Sequence, residues 1–278
     1  MSRAATPANP RAAPRRTRSP SVRFRASILA AYAVLGVYGG LILATLWFLD
    51  PGALTSVLRS ERTWFSVRLS LGAATVAASL AVLCALPAAY ALSRHRFAGR
   101  AWVDAILELP MIVSPAALGA MLLMFFSQPL GQWIQTHLMS FVFTVAGVML
   151  AQFVTVLGVA VRLVKTAFDE VPMELETVAR TLGAGPQRVF WTITFPLARR
   201  GVLAAFVLAW AKALGEFGAT IMLAGTMAMR TETLPIAIYL RLSAADLAGT
   251  AALIVFLLVL GISALALTRR LLGRGAHA

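Results

Sequence analysis

Charge is what this sequence has least of. Of 278 residues only 13% are Asp, Glu, Lys or Arg, and 59% are hydrophobic; the acidic residues number 11. So few charges cannot cover a water-soluble domain with this much apolar surface. The mean hydropathy of +0.80 suits a chain whose outer surface meets lipid. The one cysteine, Cys84, excludes an internal disulfide, and inside an apolar run it reads as a small buried filler. His95, His137 and His277 stand far apart without metal-ligand spacing. A serine–histidine–aspartate set, an HExxH motif and a close carboxylate pair are also missing, which argues against a catalyst. A phosphate-cradling loop needs glycines before its lysine, yet Val159 and Val164 hold those places ahead of Lys165-Thr166. No metal, cofactor or ATP site is therefore expected.

What is present is a succession of long apolar runs, at roughly 27–49, 66–92, 104–126, 141–163, 201–224 and 247–268. Each approaches or exceeds the ~20 residues a helix needs to cross a bilayer. They predict an all-α polytopic membrane protein with six transmembrane helices in a domain over 26–272. The third run contains Pro110 and Pro115 and should be kinked. Residues 1–25, rich in Arg, Pro, Ala and Ser, read as a disordered basic tail. "PRRTRSP" resembles an export signal only superficially, since the apolar run after it is too long for a cleaved peptide.

The net charge of +14 would suit nucleic acid, but its distribution does not. Seven basic residues lie in the tail, three at Arg94, Arg96 and Arg100, six between 162 and 200, and three at Arg269, Arg270 and Arg274. Against these nineteen, the other side holds five: Arg59, Arg62, Arg68, Arg230 and Arg241. Positive charge marks the cytoplasmic side, so both termini should lie inside the inner membrane, as an even number of spans requires.

The connection at 165–200 is far longer than its fellows and reads as ordered. Leu175, Val178, Ala179 and Leu182 fall on one helical face, with Glu174, Thr177, Arg180 and Thr181 turned away from it. Gly183 and Gly185 stop this helix; Pro186 opens a second, which Pro196 should end. Such a unit could cap the bundle or lie on lipid headgroups. Its polar face mixes acidic and basic residues, which fits a protein partner better.

"ELETVARTLGAGPQRVFWTITFP" resembles the EAA loop of permease subunits in bacterial ABC importers. Ala179, Gly183, Ile193 and Pro196 fall on that pattern, whereas Thr177, Val178 and Phe195 replace its glutamate, first alanine and leucine. The resemblance spans about residues 60 to 270 and implies a type I importer permease fold. It also implies a loop that docks on a separate ATPase subunit in two copies, through Glu174, Glu176, Thr177, Ala179, Gly183, Ala184, Arg188, Ile193 and Pro196.

One charged stretch remains: "KALGEFGATIMLAG" sets Lys212 and Glu216 four apart in the fifth run. On a continuous helix the two can pair, while Gly215 and Gly218 would let another helix approach. The pair could be an internal lock, within the bundle or across a dimer axis, or part of a gate or pathway. With "RTETLPIAIYL" after it, the segment is similar to molybdate importer permeases, and at Gly-Glu-Phe-Gly to sulfate permeases as well. That similarity implies an oxyanion, molybdate or tungstate, delivered by a periplasmic binding protein through two permeases, with sulfate or thiosulfate as the alternative. An ion-coupled secondary transporter would need an internal repeat, and none is clear between 27–126 and 141–268.

Overall fold

The computed structural model describes the backbone of residues 22–273 and the side chains of residues 27–266. The chain divides into two compact units, Met1–Trp47 and Phe48–Ala278. The first contains helix α1 (Val22–Trp47), which begins within the stretch assigned to the basic tail; the rest of that tail lies outside the described residues.

The second unit is helical throughout its described elements. Helices α2 (Pro51–Arg59) and α3 (Glu61–Arg94) are started by Asp50 and Ser60, whose side chains accept from Ala53 N and Thr63 N. Then come α4 (Arg100–Ile112), α5 (Pro115–Ser127), α6 (Pro129–His137) and α7 (Val145–Asp169). The long connection after α7 holds α8 (Met173–Thr181) and α9 (Pro186–Val189). A π turn at Phe190–Thr194 leads into α10 (Phe195–Leu214), followed by α11 (Gly218–Ala224), α12 (Leu234–Ser243) and α13 (Leu247–Gly273).

Among the described residues five helices are long and apolar enough to cross a membrane, or six if α4 and α5 count as one broken span. The core of the second unit is a three-helix seam of small residues. Ala74, Ala78, Ala81, Ala85 and Ala89 of α3 meet Val156, Ala160, Val164 and Ala167 of α7, and Ala198, Val202, Ala205 and Ala209 of α10. Their three-and-four spacing draws one stripe along each helix. In lipid, helices associate mainly through close packing, so small side chains that let backbones approach suit this seam.

Two spans and the burial of one residue differ from expectation. The third span is broken rather than kinked: α4 and α5 meet at 111° across Val113 and Ser114. Pro115 disfavours a helical Ser114, whose extended backbone and side-chain bond to Ala117 N restart the chain in a new direction. The fifth span runs over Pro186–Leu214 instead of 201–224, because Pro196 does not end the preceding helix. Proline crowds the carbonyl four residues back, but the wider π turn just before it, where Phe195 N bonds to Phe190 O, makes room. Cys84 is exposed, not buried; it faces away from the α3 stripe beside Leu83.

Candidate functional site: a two-helix connection and a broken span

At the end of the bundle that carries the long connection, α8 is held by a buried ionic junction. Glu176 is only 3% exposed. Its Oε1 accepts from Arg94 Nε at 2.8 Å and from Thr194 Oγ1 at 2.8 Å, while Arg180 Nη2 donates to Oε2 at 3.3 Å. Arg94 also donates through Nη2 to the carbonyls of Phe168 and Val171, both at 2.9 Å, and through Nη1 to Ser93 Oγ. The Arg94–Glu176 pair thus ties together the ends of α3 and α7, α8, and the start of the fifth span. Tyr90, Phe168 and Phe190 pack edge to face on one another, with ring centroids 5.0 to 6.0 Å apart. Desolvating two charges is tolerable here because each is paired and further hydrogen-bonded.

This junction sets the rotation of α8. Leu175, Val178 and Leu182 are 45%, 58% and 83% exposed, while Glu176, which the face pattern left unplaced, is inside. Periodicity identifies a shared face but not what lies opposite it; the buried Arg94 supplies the partner that sets the rotation. With Ala179, Ile193, Pro196 and Leu197, the apolar face lines an open groove of about 600 Å³ rimmed by Arg199.

Of the other loop residues, Glu174 and Arg188 are exposed and without a described ion pair, so Glu174 is the acid left facing outward. Thr177 turns its hydroxyl to Met173 O at 3.0 Å. Gly183 has φ +87, which a side chain adopts only under strain, and Ala184 N closes the turn on Ala179 O at 3.0 Å.

The charged stretch of the fifth run is not one helix. α10 ends at Leu214, with Gly215 and Glu216 donating back to Ala211 O and Ala213 O. Lys212 and Glu216 therefore lose the i,i+4 register, and among the described residues no ion pair joins them. Glu216 is 4% exposed and accepts from Ala219 N at 3.0 Å, capping the first turn of α11. Gly218 allows close approach: a Cβ there would come within 2.9 Å of Ala116 N at the start of α5. Gly215 has no comparable neighbour, so only one of the two glycines serves a crossing. Lys212 is exposed and lines a cavity of about 440 Å³ with Pro110, Met111, Ile112, Val113, Ser114, Pro115 and Val159.

Farther along, Thr231, Glu232 and Thr233 are buried. Glu232 accepts from Arg62 Nε at 2.8 Å, and Leu234 N donates to Ser70 Oγ at 2.7 Å. The stretch clamps α12 against α3. Sequence reasoning missed both Arg94 and Arg62 as partners, since each lies far along the chain from its carboxylate.

A family model described as "Binding-protein-dependent transport system inner membrane component" matches residues 77–274. The molybdenum transport system permease protein ModB of Escherichia coli (strain K12) is 38% identical over 193 residues, 66% of this chain and 81% of that protein. A probable molybdenum ABC transporter permease protein of Haloferax volcanii is 36% identical over 215 residues, covering 77% of this chain and 76% of the relative. The sulfate transport system permease protein CysW of Synechocystis sp. is 34% identical over 173 residues, 62% of this chain and 63% of that one. Among solved structures, a bacterial ABC transporter involved in the import of the acidic polysaccharide alginate matches with a TM-score of 0.73. That match covers 90% of this chain and 95% of the other at 16% identity, a likeness of fold alone.

Proposed function

This chain belongs to the family of binding-protein-dependent transport system inner membrane components, as an ABC importer permease of type I fold, and we propose that its cargo is an oxyanion, molybdate or tungstate. The observation that carries the transport reading is the inner groove: an apolar helix face left open, on a helix braced to three spans by Arg94 and Glu176. An unpartnered apolar face on a rigid strut is suited to receive a push from another protein.

In this reading two ATPase subunits dock in the grooves of two permeases, a pair of copies of this chain. ATP binding draws the α8 helices together and opens the path outward; hydrolysis returns it inward. A periplasmic binding protein supplies the ion on the side of Arg62 and Arg241, with both termini in the cytoplasm. The cargo rests on the named relatives, in which molybdenum permeases stand beside a sulfate permease.

Sulfate is the second reading, favoured by the CysW relative. Reconstitution with the ATPase and binding protein separates them. ATP-dependent uptake of molybdate, outcompeted by tungstate and only weakly by sulfate, is expected. Preferential sulfate uptake would shift the assignment, and uptake driven by an ion gradient without ATP would overturn it.

A further inference from the structure

Lys212 sits deep in the membrane. Twelve residues of α10 separate it from the cytoplasmic Arg200, about 18 Å of helix rise. Val159, which lines the same cavity, is ten residues before the inner end of α7 at Asp169, about 15 Å. Both counts place the ammonium near the middle of a hydrocarbon layer about 30 Å thick. A cation at that depth is costly, and such groups almost always face a protein interior or a water-filled path.

The other intramembrane charges are accounted for locally. Glu216 is turned to the α11 backbone, and Glu108 is paired with Arg162. Lys212 has no ion pair among the described residues, and it opens on the cavity made by the break between α4 and α5. Ser114, on that same break, accepts from Ala117 N at 3.3 Å and keeps its own hydroxyl proton to donate. An ammonium and a hydroxyl donor lining one mid-membrane cavity match the needs of a tetrahedral oxyanion. They are too few to trap it, and conduction requires a site that releases what it receives.

We propose that Lys212 is an anion relay, holding the translocated oxyanion in transit through its ammonium beside the Ser114 hydroxyl. This rests on the reading that the cargo is an oxyanion. Lipid phosphate, the other source of the same chemistry, lies about half a bilayer away from this depth.

The test uses the complete importer, with ATPase and binding protein, in proteoliposomes carrying a Cys84→Ala background. Lys212→Met should keep the assembled complex and its ATPase stimulation by loaded binding protein, yet lower molybdate uptake at least about tenfold, the equivalent of roughly 1.4 kcal/mol. Lys212→Arg should stay near the unsubstituted rate. Lys212→Cys, treated after assembly with an aminoethyl thiosulfonate, should regain uptake, whereas a neutral methyl thiosulfonate should not restore it. Full uptake by Lys212→Met, or equal rescue by both reagents, overturns the relay. Should Lys212→Met fail to assemble, the Lys212→Cys pair of reagents still decides. Absence of molybdate and sulfate uptake in the unsubstituted importer instead sinks the cargo reading.

Discussion

At the residue scale the Arg94–Glu176 junction is the most consequential contact. Arg94 and Glu176 are each 4% exposed at the side chain, so losing one strands the other in a dry site. Breaking a buried pair from one side costs about 3–5 kcal/mol, while replacing both partners with apolar groups of similar volume can be close to neutral. Arg94→Met alone should therefore lower the unfolding temperature of the purified complex sharply, and Arg94→Met with Glu176→Met should recover most of the loss. A double variant as damaged as the sum of the singles would show that the two side chains do not interact. Recovered stability need not bring recovered transport, because the apolar pair lacks the bonds from Arg94 to the Phe168 and Val171 carbonyls. The spacing of the loop exposed both Glu174 and Glu176 as candidates. It could not separate them, because the separating partner lies 82 residues earlier.

Asp246, at the corner between α12 and α13, gives a pH signature. The Gly249 N–H bonded to its carboxylate lowers its pKa below the ordinary 3.8, partial burial opposes this, and the Arg241 guanidinium adds to the lowering. A folded-state pKa below the unfolded one stabilises the fold above the unfolded value, and that contribution disappears as pH falls through the folded value. The stability gap between the unsubstituted chain and Asp246→Asn should thus be present at neutral pH and close in acid below the ordinary carboxylate range. It should be small, because the side chain is 42% exposed and its pairing is screened. A gap that widens in acid, measured by thermal unfolding across pH, would reverse the sign of this assignment.

At the scale of elements, the helix boundaries divide into those written locally and those that were not. Pro115, Gly183 and Pro186 announce a restart, a turn and a start through backbone restrictions alone. The break at 215–217 contains no proline, and its glutamate suggests a helical pair until the cap on Ala219 is seen. The π turn before Pro196 likewise has no one-residue signal; it is a response of the backbone to the proline within a longer helix. Gly183 offers the cleanest test. A Cβ there meets no heavy atom within 4 Å, so the penalty of Gly183→Val is conformational, from φ +87. The left-handed conformation costs a side chain about 1–2 kcal/mol, enough to shift α8 against α9 without unfolding the spans. Membrane insertion should be unchanged, while ATP hydrolysis continues with reduced uptake. Normal uptake per ATP in that variant would remove the turn from the coupling route.

At the scale of the whole molecule, the apolar groove and the charge asymmetry must agree on one side of the membrane. Six apolar runs and their flanking arginines were legible because lipid imposes length and charge rules that act on composition. Which face of α8 is open was not, since that depends on a junction assembled from three spans. Leu182, 83% exposed at the edge of the groove, joins the two. Burying a leucine against a partner contributes about 1.5–3 kcal/mol, so Leu182→Asp should weaken ATPase docking at least about tenfold. With Cys84 replaced, a cysteine at Leu182 should react with an impermeant thiol reagent only from the inner side, and one at the exposed Met229 only from the outer side. Labelling of both from one side would break the six-span orientation. Unchanged ATPase binding by Leu182→Asp, with the inner labelling intact, would leave the orientation standing and move the docking surface elsewhere, toward Glu174 and Arg188.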